Sequence, residues 1–313
     1  MRLSKALLVA AAKNGRAIPC EVDATKFLLS YPSGAYTAAR TVQQTKVFDY
    51  EGHIKRLVES TIAMEASKQW TDLTYAHVES VLRPKTESTL RAAMSSFKQQ
   101  FGVEPKEEYK LTVLVCHDET AEAPPSVDSA DVYCHIGLLP PLRDGPVKLV
   151  VAGMPRRNAS AKDSAWVRER KHIYDALASD IEEVILMEPD TFRLLEGSQT
   201  NFYVLREGVV YTAEEGILKG TVRSLVLDVC KERGIPVALE PPTLDTVDSW
   251  DACFISSTSR LVLAAKSLEY ECTEKHQQVA RNFDSHPIVD ELISAVRASV
   301  LRRSAEVFHG VSI

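Results

Sequence analysis

Residues 34 to 48 (GAYTAARTVQQTKVF) mix aromatic and β-branched residues with Gln and Thr, a pattern that predicts two strands joined by a turn near Gln43-Gln44. From His53 to Met64 the apolar spacing becomes helical, with Ile54, Leu57, Val58, Ile62 and Ala63 on one face. Residues 73 to 101 predict one or two further helices, and Leu111 to Val115 and Val132 to Ile136 predict short apolar strands. At Leu138 to Pro146 (LLPPLRDGP) three prolines and a glycine break the pattern and predict a linker. Beyond it, strands are expected at Lys148–Gly153, Glu183–Met187, Phe202–Leu205, Val209–Thr212, Pro236–Leu239 and Ala252–Ser256. Helices are expected at Asp163–Ala178, at Ser224–Arg233 with Gly234 as its cap, and at Ile288–Val307. Strand, helix, strand in this order suggests α/β layers. The first residues, MRLSKALLVAAAKNGRA, read as an amphipathic helix, because the apolar run Ala6 to Ala12 is short and no clean cleavage site follows. No stretch approaches the roughly 18 apolar residues of a membrane span.

A length of 313 residues suits two domains. The net charge of -6 argues against nucleic acid as a partner, which needs clustered Lys and Arg, but leaves room for a local patch that holds one phosphate. Six widely spaced cysteines (Cys20, Cys116, Cys134, Cys230, Cys253, Cys272), with no C-x-x-C pair, fit reduced thiols in a cytoplasmic enzyme better than a disulfide framework or a zinc site.

Three separated segments have the equipment to hold a phosphate: Arg56 within H-I-K-R-L, Gly220 opening a helix in L-K-G-T-V-R, and the run Ser256 to Ser259 (S-S-T-S). Taken singly, each has an ordinary reading as a solvated charge, a plain turn or a loop. Neither a Walker-type loop nor G-x-G-x-x-G is present, which leaves nucleoside triphosphate and dinucleotide sites unsupported. Lys162 follows the strand that opens the second half, and Glu196 precedes another strand; singly they read as a surface lysine and the rim of a turn. Together they change the picture. Pyridoxal 5′-phosphate requires a lysine, an acid beside its pyridine nitrogen and a phosphate cradle, and the chain offers them in the order Arg, Lys, Glu, Gly-helix, Ser/Thr loop.

That order resembles the class IV (fold type IV) pyridoxal-phosphate-dependent aminotransferases, a group that includes branched-chain and D-amino acid aminotransferases and aminodeoxychorismate lyases. The matching stretches are Gly34 to Arg40, H-I-K-R-L, G-M-P-R-R-N-A-S-A-K, E-E-V-I-L-M with L-L-E-G-S-Q-T-N-F, I-L-K-G-T-V-R and F-I-S-S-T-S. The resemblance implies two domains of α+β and α/β class: a smaller α+β unit (1–138), a linker (139–146) and a larger barrel-like cofactor-binding unit (147–313). It implies Lys162 as the Schiff-base lysine, 34 residues before Glu196, with Lys171 as the competing candidate. It further implies Glu196 as partner of the pyridine nitrogen and Arg56, the backbone N–H groups of Thr221 and Val222, and Thr258 around the phosphate. Leu218 would pack on the ring, and Tyr36 and Arg40 would face substrate. The implied reaction is transamination of an amino acid with a 2-oxo acid, branched-chain-like, in a homodimer; the rival is a lyase acting on an aminodeoxychorismate-like substrate. Three positions depart from the branched-chain pattern: Val167 replaces a tyrosine, Val222 replaces a hydroxyl residue, and Arg260 replaces an acid.

Overall fold

The computed structural model describes residues 8–65, 73–102, 107–117, 126–175, 177–272 and 277–308. They fall into two compact units. The chain up to Pro140, together with Ala161–Glu169 and the residues from Val300 on, makes the first; Pro141–Ser160 and Arg170–Ser299 make the second.

The first unit is built on β1 (Val9–Lys13), β2 (Arg16–Ile18), α1 (Ala24–Leu29), β3 (Ala35–Val42), β4 (Lys46–Phe48), α2 (Tyr50–Glu65), α3 (Tyr75–Phe101), β5 (Tyr109–Cys116) and β6 (Asp131–Leu138). A last strand, Ser304–Glu306, completes an antiparallel sheet as the neighbour of β4, in the order last strand, β4, β3, β5, β6, β1, β2. Side chains alternate between the faces of a strand. Ala39, Leu111, Val113, Cys134 and Ile136 therefore share one face, where they pack against Ile54, Leu57 and Val58 of α2 and Leu82, Met94 and Phe97 of α3. The opposite face carries Tyr36, Leu114 and Tyr133, which pack with Phe27 and Leu28 of α1. The turn expected at Gln43-Gln44 is present as a three-residue loop, 43–45, between the paired Val42 and Lys46, with both glutamines left-handed at φ 55° and 63°. Glu108 holds it by accepting the N–H groups of Gln43 (2.7 Å) and Gln44 (3.1 Å).

The expected N-terminal helix is corrected: residues 1–7 lie outside the described residues, and Val9–Lys13 is a buried strand. Ala10, Ala11 and Ala12 read as helix formers, yet their small side chains let α3 approach the sheet, where Thr89 accepts the N–H of Gly15 at 3.0 Å. Asn14 and Gly15, at φ 46° and 77°, turn the chain back into β2; this Asn-Gly hairpin signal outweighs alanine's helix propensity.

The second unit contains β7 (Val147–Val151), β8 (Ile181–Met187), β9 (Leu194–Gly197), β10 (Asn201–Arg206), β11 (Val209–Tyr211), β12 (Val237–Ala238), β13 (Ala252–Ser257), β14 (Leu261–Cys272) and β15 (Gln277–Asn282). The neighbours run β12-β11-β10-β13-β14-β7-β8-β9, and β9 pairs back onto β10, so the strands from β10 round to β9 close into a barrel. Its core includes Leu149, Ile185, Phe202, Ile255, Leu263 and Trp250. The expected helix Asp163–Ala178 is instead two short helices, α4 (Ala165–Glu169), which belongs to the first unit, and α5 (Lys171–Asp175), which belongs to the second. Helix α6 (Thr221–Arg233) ends at Gly234 in the left-handed conformation, as expected. Helix α7 (Pro287–Val300) stops before the expected Val307. Apolar residues continue at helical spacing past its end, but Ser304–Glu306 bonds to β4 and its backbone is extended. No helix among the described residues is long and apolar enough to cross a membrane.

Candidate active site

Lys162 belongs to the first unit. Its segment lies along the beginning of β3: Tyr36 donates its N–H to the Lys162 carbonyl (2.9 Å), Ser164 donates to the Gly34 carbonyl (3.0 Å), and Gly34 donates to the Ser164 hydroxyl (3.0 Å). The Lys162 N–H itself donates to Ser60 Oγ of α2 at 3.0 Å. Position 34 must be glycine, because a Cβ there would lie 2.0 Å from the Val115 carbonyl oxygen. With its backbone fixed on both sides, Lys162 places Nζ over the Tyr36 ring, 4.8 Å from the centroid.

The surroundings are electropositive. His53 of α2 is buried and bonded through Nδ1 to Thr37 Oγ1 at 2.7 Å. Burial first, then the cations Arg56 and Lys162, push its pKa well below the ordinary imidazole value. The folded chain therefore keeps His53 neutral while the unfolded chain protonates it below about pH 6.5, so stability falls as pH drops through that value, by about 1.4 kcal/mol per pH unit from this group. Urea denaturation midpoints at pH 7.5 and 5.5 check this: the loss on acidification should be smaller in His53→Gln than in the native chain.

Arg40 lies on the same face of β3 as Tyr36 and is 8% exposed, yet neither its Nε nor its Nη1 has a hydrogen-bond partner. Burial lowers its pKa and the nearby Glu108 carboxylate opposes that shift. A buried guanidinium with two unsatisfied nitrogens is a candidate receiver of an anion.

The second unit holds the remaining predicted residues. Glu196 lies in β9 at the barrel's closing seam, opposite Leu186 and Asn201. Its Oε1 accepts Arg156 Nε (2.9 Å) and Nη2 (2.6 Å), and its Oε2 accepts the N–H of Leu218 (3.0 Å). Asn201 donates to the Leu218 carbonyl at 2.7 Å. The motifs E-G-x-x-x-N and L-x-G are thus two halves of one knot. A Cβ at position 220 would lie 2.3 Å from Asn201 Oδ1 and would displace that side chain from the knot. Helix α6 starts immediately after Gly220 with no side-chain cap, which leaves the N–H groups of Thr221 and Val222 at the positive end of its dipole. Thr221 Oγ1 and Thr258 Oγ1 are 3.3 Å apart beside them. Arg223, the last residue of the L-x-G-x-x-R motif, ties down the preceding turn through the Ala213 carbonyl (2.8 Å) and Glu214 (2.6 Å).

Tyr36, Arg40, Arg56 and Lys162 are accordingly gathered in one unit, and Glu196, Leu218, Thr221, Val222 and Thr258 in the other. Lys171, the competing lysine, is two-thirds exposed and paired with Asp175 at 2.5 Å, a solvated ion pair on α5. The three departures from the branched-chain pattern also have local explanations. Val167 packs with Tyr36 and Leu114 in an apolar cluster. The Val222 side chain is buried, which confines its polar contribution to the backbone N–H. Arg260 pairs with Glu182 of β8 at 2.7 Å, and Arg143 joins the same carboxylate at 2.9 Å. Sequence reasoning missed Arg156 and Ser60. Arg156 stands in the quoted M-P-R-R-N stretch, but no periodicity ties it to a glutamate 40 residues on.

The donor set suits pyridoxal phosphate. In the second unit the uncapped N–H groups and two hydroxyls suit a phosphate and the arginine-supported carboxylate suits a protonated ring nitrogen, while in the first unit Lys162 offers an amine of the kind that bonds an aldehyde. Comparison with known proteins agrees. The family model for amino-transferase class IV matches residues 34–268. The chain is 28% identical over 138 residues to a putative branched-chain-amino-acid aminotransferase of Methanocaldococcus jannaschii, covering 41% of this chain and 47% of that protein. It is 38% identical over 69 residues to a D-alanine aminotransferase of Listeria monocytogenes, covering 21% and 24%. These matches span less than half the length of the curated relatives. Among solved structures, the branched-chain aminotransferase of Thermoproteus uzoniensis with norvaline superposes with a TM-score of 0.69 at 19% identity, over 95% of this chain and 99% of that one. A hypothetical aminotransferase from Mycobacterium tuberculosis in its PLP-bound form gives 0.67 at 16% identity, over 94% and 99%. These likenesses establish the fold as type IV. With its family model matched from Gly34 to Leu268, this chain belongs to the class IV aminotransferase family, whose cofactor is pyridoxal 5′-phosphate.

Proposed function

We propose that this chain transfers an amino group between an amino acid and a 2-oxo acid, with a branched-chain-like substrate, and that Lys162 carries the cofactor. The observation that supports this best is the Glu196 carboxylate, held by Arg156 and the Leu218 N–H within one knot that also delivers the start of α6. An acid held this way is oriented to accept a hydrogen bond from a protonated ring nitrogen. Pyridoxal phosphate, when bound, supplies a sink for the electron pair left on the substrate's α-carbon.

In this reading Arg56, the N–H groups of Thr221 and Val222 and the Thr258 hydroxyl bind the phosphate, and Leu218 packs against the ring. Lys162 Nζ would bond the cofactor's aldehyde, and the same amine would serve as the general base that moves the substrate's α-proton. Tyr36 steadies that amine through its ring face, and Arg40 receives the substrate carboxylate with its unpartnered nitrogens. The resemblance to relatives extends the proposal to a homodimer.

A half-reaction tests the proposal. Mixing the cofactor-loaded protein with leucine or valine and no oxo acid should convert the cofactor stoichiometrically to its pyridoxamine form, read by absorbance. Release of pyruvate from an aminodeoxychorismate-like compound, with the aldehyde form regenerated, would instead establish the lyase.

A further inference from the structure

A second glutamate lies beneath the turn that follows Glu196. Glu183 of β8 is fully buried, and its carboxylate is occupied by hydrogen-bond donors. Oε1 accepts the Tyr174 hydroxyl (2.7 Å), the Ser198 hydroxyl (2.8 Å) and the N–H of Val184 (2.9 Å); Oε2 accepts the N–H of Gln199 (3.2 Å). Gln199 returns its side-chain amide to Tyr174 Oη at 2.7 Å, and Tyr174 Oη lies 2.6 Å from Ser198 Oγ. Two of the four donors to the carboxylate, and the amide that steadies a third, therefore come from the turn between Glu196 and Asn201. Contact is steric as well, because a Cβ on Gly197 would lie 2.9 Å from Glu183 Cγ. A buried carboxylate is costly unless donors satisfy it, and here that need fixes the one connection that sets where β9 ends and β10 begins.

We propose that Glu183 is a positioning residue: its donor network with Tyr174, Ser198 and Gln199 holds the turn that aims the Glu196 carboxylate at the cofactor's ring nitrogen. This rests on the reading of Glu196 as that nitrogen's partner. Glu196 is already held by Arg156 and Leu218 at its tip, and Glu183 acts on the other end of the same residue, through the backbone. Replacing Glu183 by glutamine keeps the shape but presents an amide N–H₂ to groups that are themselves donors, so the turn must shift to relieve donor facing donor.

The test uses two ligands for the cofactor-free protein: pyridoxal phosphate, and its carbon analogue with CH in place of the ring nitrogen. The native chain should bind pyridoxal phosphate more tightly than the analogue, and Glu196→Gln should abolish that preference. In Glu183→Gln the preference should shrink by about tenfold while affinity for the analogue stays near native. Tyr174→Phe, which removes one donor and leaves the carboxylate, should give a smaller change in the same direction and guards against misfolding of the first variant. Equal losses for both ligands in Glu183→Gln and Tyr174→Phe would reduce Glu183 to a stabilising role and overturn the inference, while the native preference would keep the assignment of Glu196 intact. A native chain with no preference between the ligands would overturn both.

Discussion

Lys162→Ala is expected to lower the transamination rate by about 10⁴-fold or more, the scale on which a positioned base that also carries the cofactor contributes. In the proposed reading both functions fall on one amine, and its position is over-determined: Ser60 and Tyr36 hold its backbone on either side, and the Tyr36 ring lies under Nζ. The backbone contacts survive the substitution, so the fold should persist and the variant should unfold at a urea midpoint close to the native one. Lys171→Ala, which removes only an exposed pair with Asp175, should turn over at the native rate. Steady-state rates for the two variants, measured side by side, check the assignment. A Lys162→Ala protein as fast as the native chain would contradict it.

The largest expected effect on stability is at Arg156. Its side chain and that of Glu196 are 8% and 4% exposed, and the pair is held at 2.6 Å. Removing the arginine strands a buried carboxylate, and such breaks cost about 3–5 kcal/mol. Arg156→Leu should therefore shift the urea midpoint far more than a surface arginine-to-leucine change such as Arg143→Leu. Cofactor affinity should fall with it, because Glu196 loses the two hydrogen bonds that fix its carboxylate. The double variant Arg156→Leu/Glu196→Leu should recover part of the lost stability while binding the cofactor poorly, since an apolar pair leaves no charge unsatisfied. Equal stability of the native chain and Arg156→Leu would show that the pair is not buried in solution.

The contrast between what was legible and what was not follows from the range of each interaction. Helix α6 and its Gly234 cap, the hairpin turn at Gln43-Gln44 and the apolar strands β5 and β8 are set by neighbours a few residues apart, and their patterns predicted them. The alanine run in β1 misled because its partners are distant: β6 on one edge and α3 above it. The same limit applies to the site. Residue types singly read as ordinary surface features, and it is the resemblance carried by their motifs that singles out Lys162, Glu196 and the helix start at Thr221. The groups that hold them, Ser60 under Lys162 and Arg156 on Glu196, are brought in by tertiary contacts that leave no periodic mark. Departures from the family pattern behaved alike. Arg260 looked anomalous as a string of letters, and becomes ordinary once Glu182 on a different strand stands beside it.

Borohydride reduction of the protein with bound pyridoxal phosphate, followed by proteolysis and peptide mapping, bears most directly on the covalent assignment. The pyridoxyl group is expected on the peptide that contains Lys162 and on no other. Its appearance on Lys171, or on a lysine outside the segment clamped between α2 and β3, would contradict it.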